Sequence, residues 1–143
     1  MLFRSDVASE SITAAEALIR WIHPRRGFMP PDLFIPLAEQ TGNIRKLTAW
    51  TLETAIRQLR TWADKGIRTK VAVNLSARNL MNRELPSDIA NLLAAHEIEP
   101  TWLILEITES AIMQDPNHAL EVLRRLNQMG LTLSIDDYGT GYS

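Results

Sequence analysis

The chain has 143 residues, enough for one modest domain with its own core. Apolar residues are 45%, charged residues 22% and the formal net charge is −2, so no basic excess points to a DNA or RNA duplex or an anionic membrane. Cysteine is absent, which excludes disulfides, thiolate metal sites and a cysteine nucleophile, and agrees with a reducing, cytoplasmic compartment.

The N-terminal "MLFRSDVASES" lacks the long apolar region of a signal peptide and reads as a weakly ordered tail over 1–11. No apolar run approaches the roughly 18 residues of a membrane span, so no membrane contact is expected of this segment. "ITAAEALIRW" (12–21) reads as a strand closed by the loop "HPRRG". "PPDLFIPLAEQTG" (30–42) has a proline-aspartate start and a glycine end, which predicts a helix that Pro36 shortens or bends. "NIRKLTAWTLETAIRQLRTWADKG" (43–66) is the strongest helix. Asn43 can cap it, Ile44, Leu47, Leu52, Ala55, Ile56, Leu59 and Trp62 follow helical spacing, and Gly66 ends it.

"TKVAVNLS" (69–76) alternates and predicts a strand. "ELPSDIANLLAAHEI" (84–98) predicts a helix capped by Ser87 or Asp88. "TWLILEITES" (101–110) predicts a strand, "DPNHALEVLRRLNQMG" (115–130) a helix, and "LTLSID" (131–136) a last strand. Strands alternating with helices imply an α/β fold with a parallel sheet covered on both faces. About four such strands make either a small open sheet or a partial (β/α)8 TIM-like barrel. The connections are short, so 12–143 reads as one domain.

In parallel α/β folds, ligands bind beyond the carboxyl ends of the strands. At those ends stand Glu16, Asn74, Glu106 and Asp136, with Asp137 next. Strand alternation puts Asn74 on the face of Ala72, Glu106 on that of Ile104, and Asp136 on that of Ser134. Glu16 shares a face with Ala14 and, beyond it, with Leu18 and Arg20. The opposite faces carry Val71, Val73 and Leu75; Leu103, Leu105 and Ile107; Leu131, Leu133 and Ile135, which suit packing against helices.

Converging carboxylates repel one another and are costly to desolvate, so they call for protons or cations. With no thiolate among them, the natural partner is a hard cation: Mg²⁺, Mn²⁺ or Ca²⁺. Two ions about 4 Å apart are the standard device for phosphoryl hydrolysis. Arg20 has the planar fork to hold a phosphate. Taken singly, each acid is as easily a turn former or a helix cap. Glu109 reads as structural, His23 as a loop residue, and His96 and His118 as helix-surface residues. The coincidence of four strand ends with one parity raises the functional reading above these.

"EALIRW", "VNLSARNL", "LEITES" and "DDYGTGYS", in this order, resemble the successive signatures of the EAL-domain family, the cyclic di-GMP phosphodiesterases of bacterial signalling. The resemblance implies a (β/α)8-type barrel with one antiparallel strand, and Mg²⁺- or Mn²⁺-dependent hydrolysis of cyclic di-GMP to linear pGpG. By motif it makes Glu16, Asn74, Glu106 and Asp136 metal ligands, with Asp137 serving a second ion. It places Leu18 and Arg20 against the dinucleotide. It makes Glu109 the anchor of a loop over 138–143 that helps form a dimer interface. Tyr138 stands where the family often has Phe.

The family's Tyr-Gln-Pro-Ile-like first strand is not matched by the N-terminal residues. The family's lysine, later glutamate and glutamine fall beyond Ser143. The 143 residues therefore correspond to roughly the first half of the family's domain. At most one well-formed metal site is expected, with hydrolysis slow or absent, and association into homo-oligomers through open barrel edges or the 138–143 loop. The alternatives are a non-catalytic module that binds cyclic di-GMP or a protein, and a plain α/β structural domain.

Overall fold

A computed structural model of the chain describes residues 2–6 and 11–136. In chain order the elements are β1 (Leu2–Asp6), β2 (Ser11–Ala17), β3 (Trp21–His23), β4 (Gly27–Met29), α1 (Pro31–Thr41), α2 (Ile44–Asp64) and β5 (Lys70–Asn74). There follow α3 (Ala77–Leu80), α4 (Leu85–Ala95), β6 (Leu103–Thr108), α5 (Glu109–Met113), α6 (Pro116–Gln128) and β7 (Thr132–Asp136). The main sheet has the order β1-β2-β5-β6-β7. β2, β5, β6 and β7 are parallel, and β1 runs antiparallel beside β2. Parallel strands alternating with helices make this an α/β unit, the pattern of both a small open sheet and a stretch of (β/α)8-type barrel wall.

The two faces of the sheet differ as alternation requires. On one face Ala15, Val71, Val73, Leu103, Leu105 and Ile107 are buried against Leu52, Ile56 and Leu59 of α2, Ile89 and Leu93 of α4, and Val122 and Leu126 of α6. Those helical positions recur at three- and four-residue spacing, so each helix turns one apolar stripe to the sheet. The other face carries a small separate cluster of Ala14, Ala72 and Ile104. This is the face of Glu16, Asn74 and Glu106.

Two local expectations at the N-terminal end are corrected. The segment 1–11 is not simply a tail: residues 2–6 form β1, whose backbone pairs with β2 from Leu2↔Glu16 to Asp6↔Ser11. The strand expected over 12–21 ends at Ala17, the last residue paired with β5. Trp21–His23 instead pairs with Gly27–Met29 in a separate hairpin. The "HPRRG" turn closes that hairpin, with the backbone N–H groups of Arg25 and Arg26 donating to His23 Nδ1 at 3.0 and 3.2 Å. Gly27 takes a positive φ of 71°, which a side chain would resist.

The helix caps also differ. Asn43 precedes α2 but donates its side-chain N–H to Thr41 Oγ1 and makes no cap hydrogen bond. α4 begins at Leu85, ahead of Ser87 and Asp88, with Glu84 at the cap position. Pro86 lies in the first turn, where its fixed φ is favourable, and Asp88 faces the positive end of the helix dipole. Pro36 stays inside α1, which continues to Thr41 while Phe34 and Ile35 bury beneath it.

Candidate active site

The strand registers decide whether the candidate donors meet. Glu16 lies opposite Ala72, two residues before Asn74. Asn74 lies directly opposite Glu106. Glu106 lies opposite Ser134, and Asp136 one step of the pleat further on, opposite Thr108. Paired residues of parallel strands share a face, and so do residues two apart on one strand. The four side chains therefore rise from one face, along a diagonal at the carboxyl ends of β2, β5, β6 and β7.

Contacts follow that diagonal. Asn74 Nδ2 donates to Glu16 Oε1 at 3.4 Å across the β2–β5 junction. Glu106 is 7% exposed, a buried carboxylate on the sheet face that also carries Ile104 and Ala72. Asp136 ends β7 and is exposed. Among the described residues, no three acidic or histidine side chains gather into a ready-made cluster. The register explains this: Glu16 and Glu106 are separated by the whole width of β5, and the residue between them is an amide. The donor set is nonetheless all oxygen, three carboxylates and one amide, which suits a hard cation rather than a soft one.

Two residues assigned to the substrate side are positioned differently from the expectation. Leu18 and Arg20 lie past the end of β2, in the link to the hairpin, so strand parity does not place them. Leu18 lines a cleft of about 130 Å³ with Ala17, Ile19, Asn74, Ser76 and Thr108, at the carboxyl ends of β2, β5 and β6. Arg20 is exposed and its Nη1 donates to the Ile19 carbonyl at 2.9 Å. Glu109 opens α5 and is exposed; the 138–143 loop expected to be its partner lies outside the described residues, as does Asp137.

The chain leaving β5 is held by groups the sequence reading passed over. Leu75 N–H donates to the Glu106 carbonyl at 2.9 Å, extending the ladder one residue beyond Asn74. Ser76 then caps α3 in a reciprocal box with Asn79. Asn79 Oδ1 accepts from Ser76 N–H at 2.9 Å, from Ser76 Oγ at 3.0 Å and from Thr48 Oγ1 of α2 at 3.1 Å. The available signal was the Ser-x-x-Asn spacing in "SARN", a variant of the capping-box pattern. Nothing local pointed to Thr48, 31 residues away.

The EAL domain model matches residues 4–143. The chain belongs to the EAL domain family. It is 47% identical over 129 residues to the bifunctional diguanylate cyclase/cyclic di-GMP phosphodiesterase MucR of Pseudomonas aeruginosa, covering 90% of this chain and 19% of that protein. It is 39% identical over 132 residues to the cyclic di-GMP phosphodiesterase PdeR of Escherichia coli, covering 92% and 20%. The structure superposes on that of the PaMucR phosphodiesterase in complex with c-di-GMP, with a TM-score of 0.84 and 46% identity, over 92% of this chain and 54% of that one. The EAL enzyme Bd1971 in its cAMP- and cyclic-di-GMP-bound form gives a TM-score of 0.84 at 28% identity, over 97% and 39%. The chain thus spans about half the length of the solved MucR chain and about a fifth of these curated relatives. No described helix is long and apolar enough to cross a membrane.

Proposed function

We propose that this EAL domain segment binds cyclic di-GMP and carries the first part of a metal-dependent phosphodiesterase site that yields linear pGpG. The observation that carries the reading is the single diagonal of Glu16, Asn74, Glu106 and Asp136 on one sheet face, in a chain related to cyclic di-GMP phosphodiesterases.

In this reading those four side chains hold Mg²⁺ or Mn²⁺, and Asp137 serves a second ion. A divalent ion there would lower the pKa of a bound water and offset charge on the phosphate oxygens. Asn74, hydrogen-bonded to Glu16, keeps two of the donors in a fixed relation. Leu18, at the cleft, supplies an apolar contact for the dinucleotide, and exposed Arg20 a forked donor for its phosphate. Glu109 anchors the 138–143 loop. The setting is cytoplasmic, and the chain self-associates through barrel edges or that loop.

The 143 residues alone are expected to turn over slowly or not at all, because positioning and charge stabilisation of the transition state would be incomplete. The second reading is a non-catalytic cyclic di-GMP-binding or protein-interaction module. Calorimetry with cyclic di-GMP, with and without Mg²⁺, tests binding, and chromatographic detection of pGpG tests cleavage. Metal-dependent binding lost in Glu16→Ala supports the site. Equal binding by wild type and Glu16→Ala refutes it, and turnover at the rate of a complete domain refutes the expected weakness.

A further inference from the structure

We infer that Thr48 and Asn79 are positioning residues for Asn74, acting through the turn that follows β5; the inference rests on the metal-site reading above. Asn74 is the last residue of its strand, so its side chain is only as well placed as the backbone just beyond it. Ladder bonding continues for one residue, to Leu75, and then stops. From there the chain enters α3, a helix of four residues, far too short to be stable by itself. What fixes it is one oxygen. Asn79 Oδ1 collects the Ser76 N–H, the Ser76 hydroxyl and the Thr48 hydroxyl within 3.1 Å.

Asn79 is 2% exposed and Thr48 6%, so neither group has ready access to solvent as a substitute partner. The Thr48 bond is the one that reaches outside the turn. It ties the turn to α2, a 21-residue helix packed on the far face of the sheet. The same side chains border the cleft together with Asn74 and Ser76. The link therefore runs from a rigid helix, through a buried amide, to the residue two places after a proposed ligand. Placement of a ligand within a fraction of an ångström requires support of this kind.

The test uses the 143-residue chain, Mn²⁺ binding followed by electron paramagnetic resonance, and thermal unfolding. Thr48→Val keeps the shape and removes the hydroxyl; Thr48→Ser restores it. Thr48→Val is expected to weaken Mn²⁺ binding on the order of three- to tenfold, with Thr48→Ser within about twofold of wild type. Ser76→Ala, which removes a different donor to the same oxygen, gives the same comparison should Thr48→Val fail to fold. Wild-type affinity for Mn²⁺ in Thr48→Val, even with a lowered Tm, overturns the inference, because the hydroxyl is then merely structural. Wild-type chain that binds no Mn²⁺ overturns the metal-site reading itself, and the inference with it.

Discussion

Replacing Glu106 with Gln separates what the carboxylate does for the fold from what it does for the proposed site. Gln keeps the length and an accepting oxygen and removes the charge. Glu106 is 7% exposed and lies on the same face as Glu16, one strand beyond β5 and two residues further along. With strands ~4.8 Å apart and ~3.3 Å per residue, the two backbone positions are roughly 12 Å apart. At an effective dielectric constant of about 20, two like charges at that distance repel by about 1.4 kcal/mol, and salt reduces this toward 1 kcal/mol.

The metal-free variant is therefore expected to melt about 3–5 °C higher than wild type. Mn²⁺ at a hundredfold excess over Kd should stabilise wild type by about 2.7 kcal/mol, a rise of roughly 8–12 °C. In Glu106→Gln most of that rise should vanish. Differential scanning calorimetry with and without Mn²⁺ reads both arms. A variant that melts lower than wild type without metal, or keeps the full Mn²⁺ response, refutes the reasoning: Glu106 would then be a structural carboxylate.

Three further outcomes follow from the same geometry. Leu105→Ala, fully buried between β5 and β7, should cost about 2–5 kcal/mol in urea unfolding; a loss under 1 kcal/mol would contradict the packing described. Arg20→Ala should weaken cyclic di-GMP binding by about tenfold in calorimetry without moving Tm, since the side chain is exposed; unchanged affinity would remove Arg20 from the phosphate contact. β7 is an edge of the described sheet and Ile135 on it is 52% exposed, so the chain should associate at low micromolar concentration. A clean monomer by light scattering would exclude that.

The strongest local patterns carried furthest from sequence to structure. The 3.6-residue stripe of α2 was readable because Leu52, Ala55, Ile56 and Leu59 all turn to one face, and they are buried there. Alternation in "KVAVN" and "LILEIT" separated helix-facing Val and Leu from Asn74 and Glu106 before any register was known. Where two local signals competed, the sequence misled. "EALIRW" has the apolar composition of one strand, yet pairing with β5 ends at Ala17 and Trp21 pairs with Met29 instead. That break moves Leu18 and Arg20 from a strand face to a link. β1 carried little pattern in its five residues and owes its strand form to the neighbouring edge of β2.

By itself, then, the amino-acid sequence determined the α/β class, the helix-facing side of each central strand and the residue types at the strand ends, because these depend on periods of 2 and 3.6 residues. Only the tertiary structure decided which of the candidate donors are neighbours. Register between strands far apart in sequence made Asn74 the bridge between Glu16 and Glu106 and set Asp136 one pleat further on. The same long-range packing brought Thr48 to Asn79 across 31 residues. A hydrogen bond between distant segments leaves no periodic mark in a chain, so folding alone reveals it.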